Sequence, residues 1–303
     1  MDLLKKSFSV TVPEDFGFLP TVMGSGWTDL APYALDREEG TLSRVLRLAG
    51  GGVIYVTVKK GEGDTIDVLT ESGVQLDGEG LLGVESGIKT CLMLDIDLSG
   101  FYSMLESDRE FAWVLEIGAG RSIRGSNVFE DVVKTISMTN ASWGLTRGIT
   151  RRLCEKLGDE VGGHHSFPTP HQLAERTEEF LRREVKSGFR SPYLLELARN
   201  IVEGRLNVES WKTSDLDSAS LRREIMKVKG VGPISADNIL KLLGRYDFLA
   251  LDNWYRKRFY EIHGEGKEVP DEEIEGYYSP FGKWKGLVMG LDLTKDHILS
   301  LMN

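Results

Sequence analysis

Two hydrophobic periods divide this chain. In VIYVTVK, residues 53–59, apolar and polar side chains alternate and β-branched residues dominate, with Gly50-Gly51-Gly52 before the run and Gly61-Glu62-Gly63-Asp64 after it. That is a half-buried strand between turns. Residues 7–12 and 41–48 read as further strands. Beyond about Gly100 the apolar residues recur three and four apart in most segments to the end, the spacing of helices with one buried face. The pattern predicts an α+β chain: a β-rich N-terminal domain over residues 1–97, then an all-α domain over 98–303.

Local signals place several helices. Asn127 is a good N-cap for VFEDVVKTISM, and Glu130 at the third helical position completes a capping-box-like start. GLTRGITRRLCEKLG (144–158), HQLAERTEEFLRREV (171–185) and PYLLELARNIVEG (192–204) come next, separated by short loops with Gly, Pro and Ser. GAGRSIRG (118–125) has glycine spacing without a GK[ST] ending, so it reads as a loop whose Arg121 and Arg124 face solvent or DNA.

Composition narrows the class. With 303 residues and 41% hydrophobic content the chain can bury a proper core. No run approaches the ~18 apolar residues of a membrane span, and the start lacks a signal peptide's apolar core, so a cytoplasmic monomer with no membrane partner is expected. Cys91 and Cys154 are the two cysteines and suit core packing, which leaves no four-cysteine cluster. His164-His165 lacks companions at ligand spacing and reads as a solvated loop, so no metal site is expected. The net charge of −10 opposes a sequence-blind DNA coater. Its distribution matters more: residues 1–100 carry 16 acids against 8 Lys and Arg, whereas 221–260 carry 9 Lys and Arg against 4 acids. A local basic strip of this kind can dock a duplex.

Within that strip, LRREIMKV (221–228) is a short helix, Lys229-Gly230-Val231-Gly232-Pro233 is a turn, and 234–243 is a second helix. Two glycines around one apolar residue permit a tight turn with positive φ and leave no side chain in the way of a phosphate. Pro233 suits a first helical turn, and the free N–H groups there make an anion site. Val231 would pin the hairpin to the core. An ordinary helix–turn–helix corner with glycine as a stop signal has the same local pattern. The residues beyond the second helix are more telling: the apolar run Phe248-Leu249-Ala250-Leu251 ends at Asp252, which opens NWYRKRFYEI. An aspartate there is an N-cap, and it could also be a catalyst.

KGVGPISADNILKLLGRYDFLALDNWYRKRF (229–259) resembles the helix-hairpin-helix DNA glycosylase superfamily, in which such a hairpin precedes a catalytic aspartate by about twenty residues; Asp252 lies 20 after Gly232. Residues 128–206 are similar to the superfamily's preceding segments, the β-rich start to the N-terminal domain of the 3-methyladenine glycosylase II and 8-oxoguanine branches, and YSPFGKWKGLVMGLDLT (278–294) to the closing helix of the alkyladenine branch. The resemblance implies a cleft for double-stranded DNA between two helical subdomains. It implies Lys229, Gly230, Val231 and Gly232 as the phosphate-docking hairpin and Asp252 as catalyst. Asn140 would fill the gap left by an extruded base, with Phe189 and Arg190 against the opposite strand. Trp143, Trp254 and Tyr255 are nearest for a base pocket, and Lys283 and Lys285 could reach phosphate, or only water. Bifunctional members carry a nucleophilic lysine where this chain has Ile234. The resemblance therefore implies a monofunctional hydrolase, closest to the 3-methyladenine glycosylase II branch and acting on an alkylated purine without lyase activity. The alternatives are 8-oxoguanine or deaminated bases as substrates, or a non-catalytic damage sensor. It implies no organic cofactor, and at the hairpin carbonyls a backbone-held Na+ or K+.

Overall fold

The computed structural model describes residues 3–302. Strands β1 (Leu4–Thr11), β2 (Ala34–Asp36), β3 (Thr41–Arg47), β4 (Val53–Lys60) and β5 (Thr65–Ser72) form one antiparallel sheet in the order β1-β5-β4-β3-β2. The short helix α1 (Phe18–Met23) lies between β1 and β2. Alternation sets the register: Ile54, Val56 and Val58 of β4 are buried and the residues between them are not.

The N-terminal part is less purely sheet than its strand pattern suggests, because α2 (Gly78–Cys91) packs on it and contributes Val84, Ile88 and Cys91 to its core. Glycines obscure that helix in the sequence. They serve close approach: Cβ atoms built at Gly83 and Gly87 would stand 3.2 Å from Leu48 and 3.0 Å from Leu46, so the two leucines at the end of β3 rest on the helix's bare face. A larger residue there would press on these leucine methyls.

Helices fill the rest. α3 (Ser99–Leu105) and α4 (Ala112–Ile117) precede α5 (Val128–Met138) and α6 (Trp143–Leu157). A small hairpin, β6 (Glu160–Val161) with β7 (His164–His165), comes next. Here the solvated-loop reading of the histidines gives way to a strand pair, and His164 stacks on Tyr55 of the sheet with ring centroids 3.8 Å apart. The single helix expected over 171–185 is broken into α7 (Pro170–Ala174), α8 (Glu178–Phe180) and a π turn over Leu181–Val185. The break follows from capping: Thr169 and Gln172 form a reciprocal box, and Thr177 then accepts the Phe180 N–H and starts a second segment. After these come α9 (Ser191–Val202), α10 (Ser218–Ile225), α11 (Pro233–Leu242), α12 (Asn253–Ile262), α13 (Asp271–Tyr278) and α14 (Lys285–Ser300). One helical core collects residues from Val128 to Leu240, and another collects residues 98–119 with Tyr246 through Ile298.

The loop between α4 and α5 corrects an expectation. Arg121 and Arg124 are buried and face neither solvent nor DNA. Arg121 donates to the carbonyls of Met93 and Ile96 at 2.8 and 2.7 Å. Arg124 pairs with Asp95 and donates to Thr90 O at 2.9 Å and Leu242 O at 2.8 Å. Carbonyls left over at the ends of α2 and α11 attract the Arg124 cation. Arg124 thus fastens the end of α2 to the hairpin's second helix, and Arg121 ties its loop to the turn after α2.

At the start of α5, Asn127 caps the Glu130 N–H at 2.9 Å as its sequence suggests, but Glu130 does not return the bond to Asn127. Its carboxylate, fully buried, takes Arg44 at 2.8 Å, Lys134 at 2.7 Å and the Ser126 N–H at 3.1 Å. Burial opposes its charge, and the two cations outweigh burial and hold its pKa down at about 2. The neighbouring Asp131 accepts the Trp27 indole N–H and the Gly125 N–H, yet burial first, and the Glu130 charge second, push its pKa up to about 7. Between about pH 4, where an unfolded aspartate loses its proton, and pH 7, the folded chain keeps a proton that the unfolded chain has released. Asp131 therefore adds stability at low pH that is lost as pH rises through 7. Asp131→Asn mimics the protonated form and keeps an oxygen for both donors. Thermal melts from pH 5 to 8 should show a smaller fall in Tm for the variant than for wild type; parallel profiles would contradict the assignment.

Candidate nucleic-acid interface and active site

The hairpin forms as its residue types demand. Gly230 adopts φ +89°, and a Cβ there would lie 2.6 Å from the Tyr193 ring, so both conformation and space require glycine. Val231 is buried in the helical core, and its N–H closes the turn on Val228 O at 3.0 Å. Gly232 is exposed, with open space where a side chain would be. Pro233 begins α11, whose first hydrogen bond comes from the Ala236 N–H to Gly232 O. The Ile234 and Ser235 N–H groups are left without partners among the described residues. Free N–H groups at a ten-residue helix's positive end, behind a bare glycine, suit a phosphate oxygen. Lys229 stands beside them, exposed and 3.1 Å from Glu196, a surface pair weak enough for a phosphate to displace.

Thr139 joins this hairpin to two other turns. Its hydroxyl lies 3.5 Å from Gly230 O, and its own carbonyl accepts the Arg190 guanidinium at 2.9 and 2.5 Å. Arg190 also donates to Asn140 O at 2.8 Å. Asn140 is exposed at φ +48°, a left-handed conformation that asparagine tolerates and that the guanidinium holds from beneath. Phe189 is exposed, packs edge-on against Tyr193 and lies under the Arg190 guanidinium at 4.3 Å. Arg190 itself is only 3% exposed. Arg190, expected against an opposite strand, is here buried with its donors on backbone carbonyls, where it braces the turn that carries Asn140. Arg190→Ala should leave hairpin-dependent affinity for undamaged duplex within about twofold but weaken discrimination for abasic-site DNA. Equal losses on both would contradict a positioning role; competition anisotropy separates the two.

Asp252 caps α12 and accepts the Tyr255 N–H on Oδ1 at 2.9 Å. Its Oδ2 accepts no hydrogen bond, and no cation lies within 4 Å of it among the described residues. The carboxylate is half-buried and keeps one oxygen for a partner outside the chain. The approach is tightly built: Ala250, buried, has φ +52°, and the Gly286 N–H binds Tyr246 O at 2.9 Å, where a Cβ would strike Phe248 O at 2.2 Å. Gly286 thus lets α14 press on the strand-like segment leading to Asp252.

The aromatic set divides. Trp254 is exposed and meets Tyr255 edge-on at 5.1 Å on α12. Trp143, at the head of α6, donates its indole N–H to Asp29 at 3.0 Å and packs near Gly26. Lys285 pairs with Glu275, and Lys283 lies over the Trp284 ring. Thr139, Tyr193, Lys241 and Gly286 belong to the site without having been singled out in the sequence. Of these, Lys241 carried a signal, being seven residues beyond Ile234 and so on the same helical face.

No family model matches the chain. Among curated proteins it is 28% identical over 240 residues to an N-glycosylase/DNA lyase of Saccharomyces cerevisiae, an alignment covering 71% of this chain and 62% of that one. The chain thus spans about three fifths of that relative's length. Among solved structures, the 3-methyladenine DNA glycosylase from Archaeoglobus fulgidus aligns with TM-score 0.76 and 18% identity, covering 95% of this chain and 98% of its own. The Clostridium acetobutylicum 8-oxoguanine glycosylase/lyase aligns at 0.68 with 23% identity, covering 97% and 98%. The chain thus has the fold of these DNA glycosylases and is similar in sequence to an N-glycosylase/DNA lyase.

Proposed function

We propose that this protein is a monofunctional DNA glycosylase of base excision repair that works as a monomer on duplex DNA and hydrolyses the N-glycosidic bond of an extruded, damaged purine. One observation carries the reading: Asp252, 20 residues after the hairpin, offers a half-buried carboxylate whose Oδ2 is unengaged. Bond breaking leaves positive charge on the sugar, and a fixed carboxylate stabilises that charge while it orients or deprotonates the attacking water. Extrusion costs a few kcal/mol, offset by phosphate contacts at the hairpin and by Asn140 and Phe189 in the vacated stack. A Na+ or K+ at the hairpin would be held by the Lys229 and Val231 carbonyls, which accept no hydrogen bond among the described residues, and would add positive charge beside the phosphate.

An alkylated purine is the substrate the aromatic residues favour, Trp254 above all. A second reading, an uncharged oxidised or deaminated purine, is favoured by Lys241, whose ammonium already lies 5.1 Å from the Tyr255 ring centroid where a cationic base would stack. Hydrolysis without lyase chemistry follows from Ile234 in the lysine's place. On duplexes with one damaged base and a labelled strand, breaks should appear only after alkali. Breaks without alkali, or protein–DNA adducts trapped by borohydride, would overturn the monofunctional assignment.

A further inference from the structure

Ile234, Asn238 and Lys241 are spaced four and three residues apart on α11 and share one of its faces. Lys241 is half-buried where that face meets α12 and α14: its Nζ lies 3.5 Å from the Tyr255 hydroxyl, and a Cβ at Gly290 would stand 3.9 Å from the same nitrogen and 3.8 Å from the same hydroxyl. Three helices thus bring an ammonium, a phenol and a bare stretch of backbone to one spot. Among the described residues no carboxylate lies within ion-pair distance of Lys241, and the Asn238 amide makes no hydrogen bond. Of the buried cations, Arg44 and Lys134 pair with Glu130 and Arg124 with Asp95, while Arg190 is held by backbone carbonyls. An ammonium drawn partly out of water with no counter-charge is costly to keep. The phenol beside it belongs to the residue whose backbone N–H binds Asp252.

We propose that Lys241 is a specificity-determining residue that sorts bases by charge, admitting uncharged purines with an acceptor oxygen and rejecting purines already cationic, as N3- and N7-alkylated ones are. The proposal rests on the reading of Asp252 as the catalyst of base release, and it takes the second substrate reading, the uncharged purine, against the alkylated one. In that reaction the C1′–N9 bond breaks and its electron pair leaves with the base, while water oxygen bonds to C1′ and gives up its proton, first to Asp252 and finally to the base. A neutral purine departs with developing negative charge, which a nearby ammonium stabilises. A cationic purine departs neutral, gains nothing from Lys241, and is repelled beforehand in the pocket.

Binding tests this without turnover. Duplexes bearing one 2′-fluoro nucleotide, either 8-oxoguanine or 7-methylguanine, resist hydrolysis and can be titrated by anisotropy at fixed salt. Wild type should bind the oxidised duplex at least about tenfold more tightly than the methylated one. Lys241→Met should abolish that ratio and Lys241→Arg should keep it. Equal affinities in wild type, or a ratio unchanged by Lys241→Met, would overturn the proposal. Base release from the same duplexes with ordinary sugars is read separately. A preserved ratio with no release would sustain Lys241 as the charge selector and defeat the glycosylase reading alone.

Discussion

Replacing Glu130 by glutamine should destabilise the protein by about 3–5 kcal/mol, the range for breaking a buried ion pair by removing one partner. Glu130 and Lys134 are fully buried and Arg44 nearly so, so the variant leaves two cations in the interior with a neutral amide between them. Glutamine matches glutamate in shape, and packing changes little; the loss comes from uncompensated charge. Arg44 also donates to Ser126 and lies over the Tyr33 ring at 4.5 Å. These contacts survive the substitution and keep the loss finite. Urea denaturation should show a lower midpoint with an unchanged slope. A loss below about 1 kcal/mol would mean that water already reaches the cluster. Because Arg44 comes from the sheet and Glu130 from α5, the same variant should loosen the seam between the sheet and the helices that carry the hairpin.

Asp252→Asn should lower the single-turnover rate of base release by about 10²- to 10³-fold or more while leaving stability and DNA affinity near wild type. The choice of asparagine separates two roles of one side chain. As an N-cap, asparagine equals aspartate, and its Oδ1 can accept the Tyr255 N–H that Asp252 Oδ1 accepts at 2.9 Å. As a stabiliser of a positively charged sugar, it lacks the charge. A variant with normal melting, normal binding to abasic-site DNA and no turnover assigns the residue to chemistry; full turnover would leave Asp252 as a cap alone. Asp252→Ala removes both roles and should cost about 1 kcal/mol of stability as well.

Features that depend on a few neighbouring residues could be read from the sequence. The strands β3 and β4, the turn at Gly230, Pro233 at the head of α11 and Asp252 at the head of α12 all express local periodicity or capping chemistry. Features that depend on distant partners could not. Glu130 looks like half of a capping box until Arg44, 86 residues earlier, is placed against it. Arg190 looks like a surface contact until its guanidinium meets the Thr139 carbonyl, 51 residues away. The glycines of α2 look like breaks because the leucines they accommodate belong to another element.

The glycosylase reading is tested most directly by chromatographic detection of free base after incubating wild-type protein with duplexes that each carry one lesion, alkylated, oxidised or deaminated. The account predicts release of a free damaged purine from at least one of them, with an abasic strand that stays intact until alkali is added. Binding to every duplex with no base released from any would contradict it and leave the hairpin as a DNA-docking device without an active site.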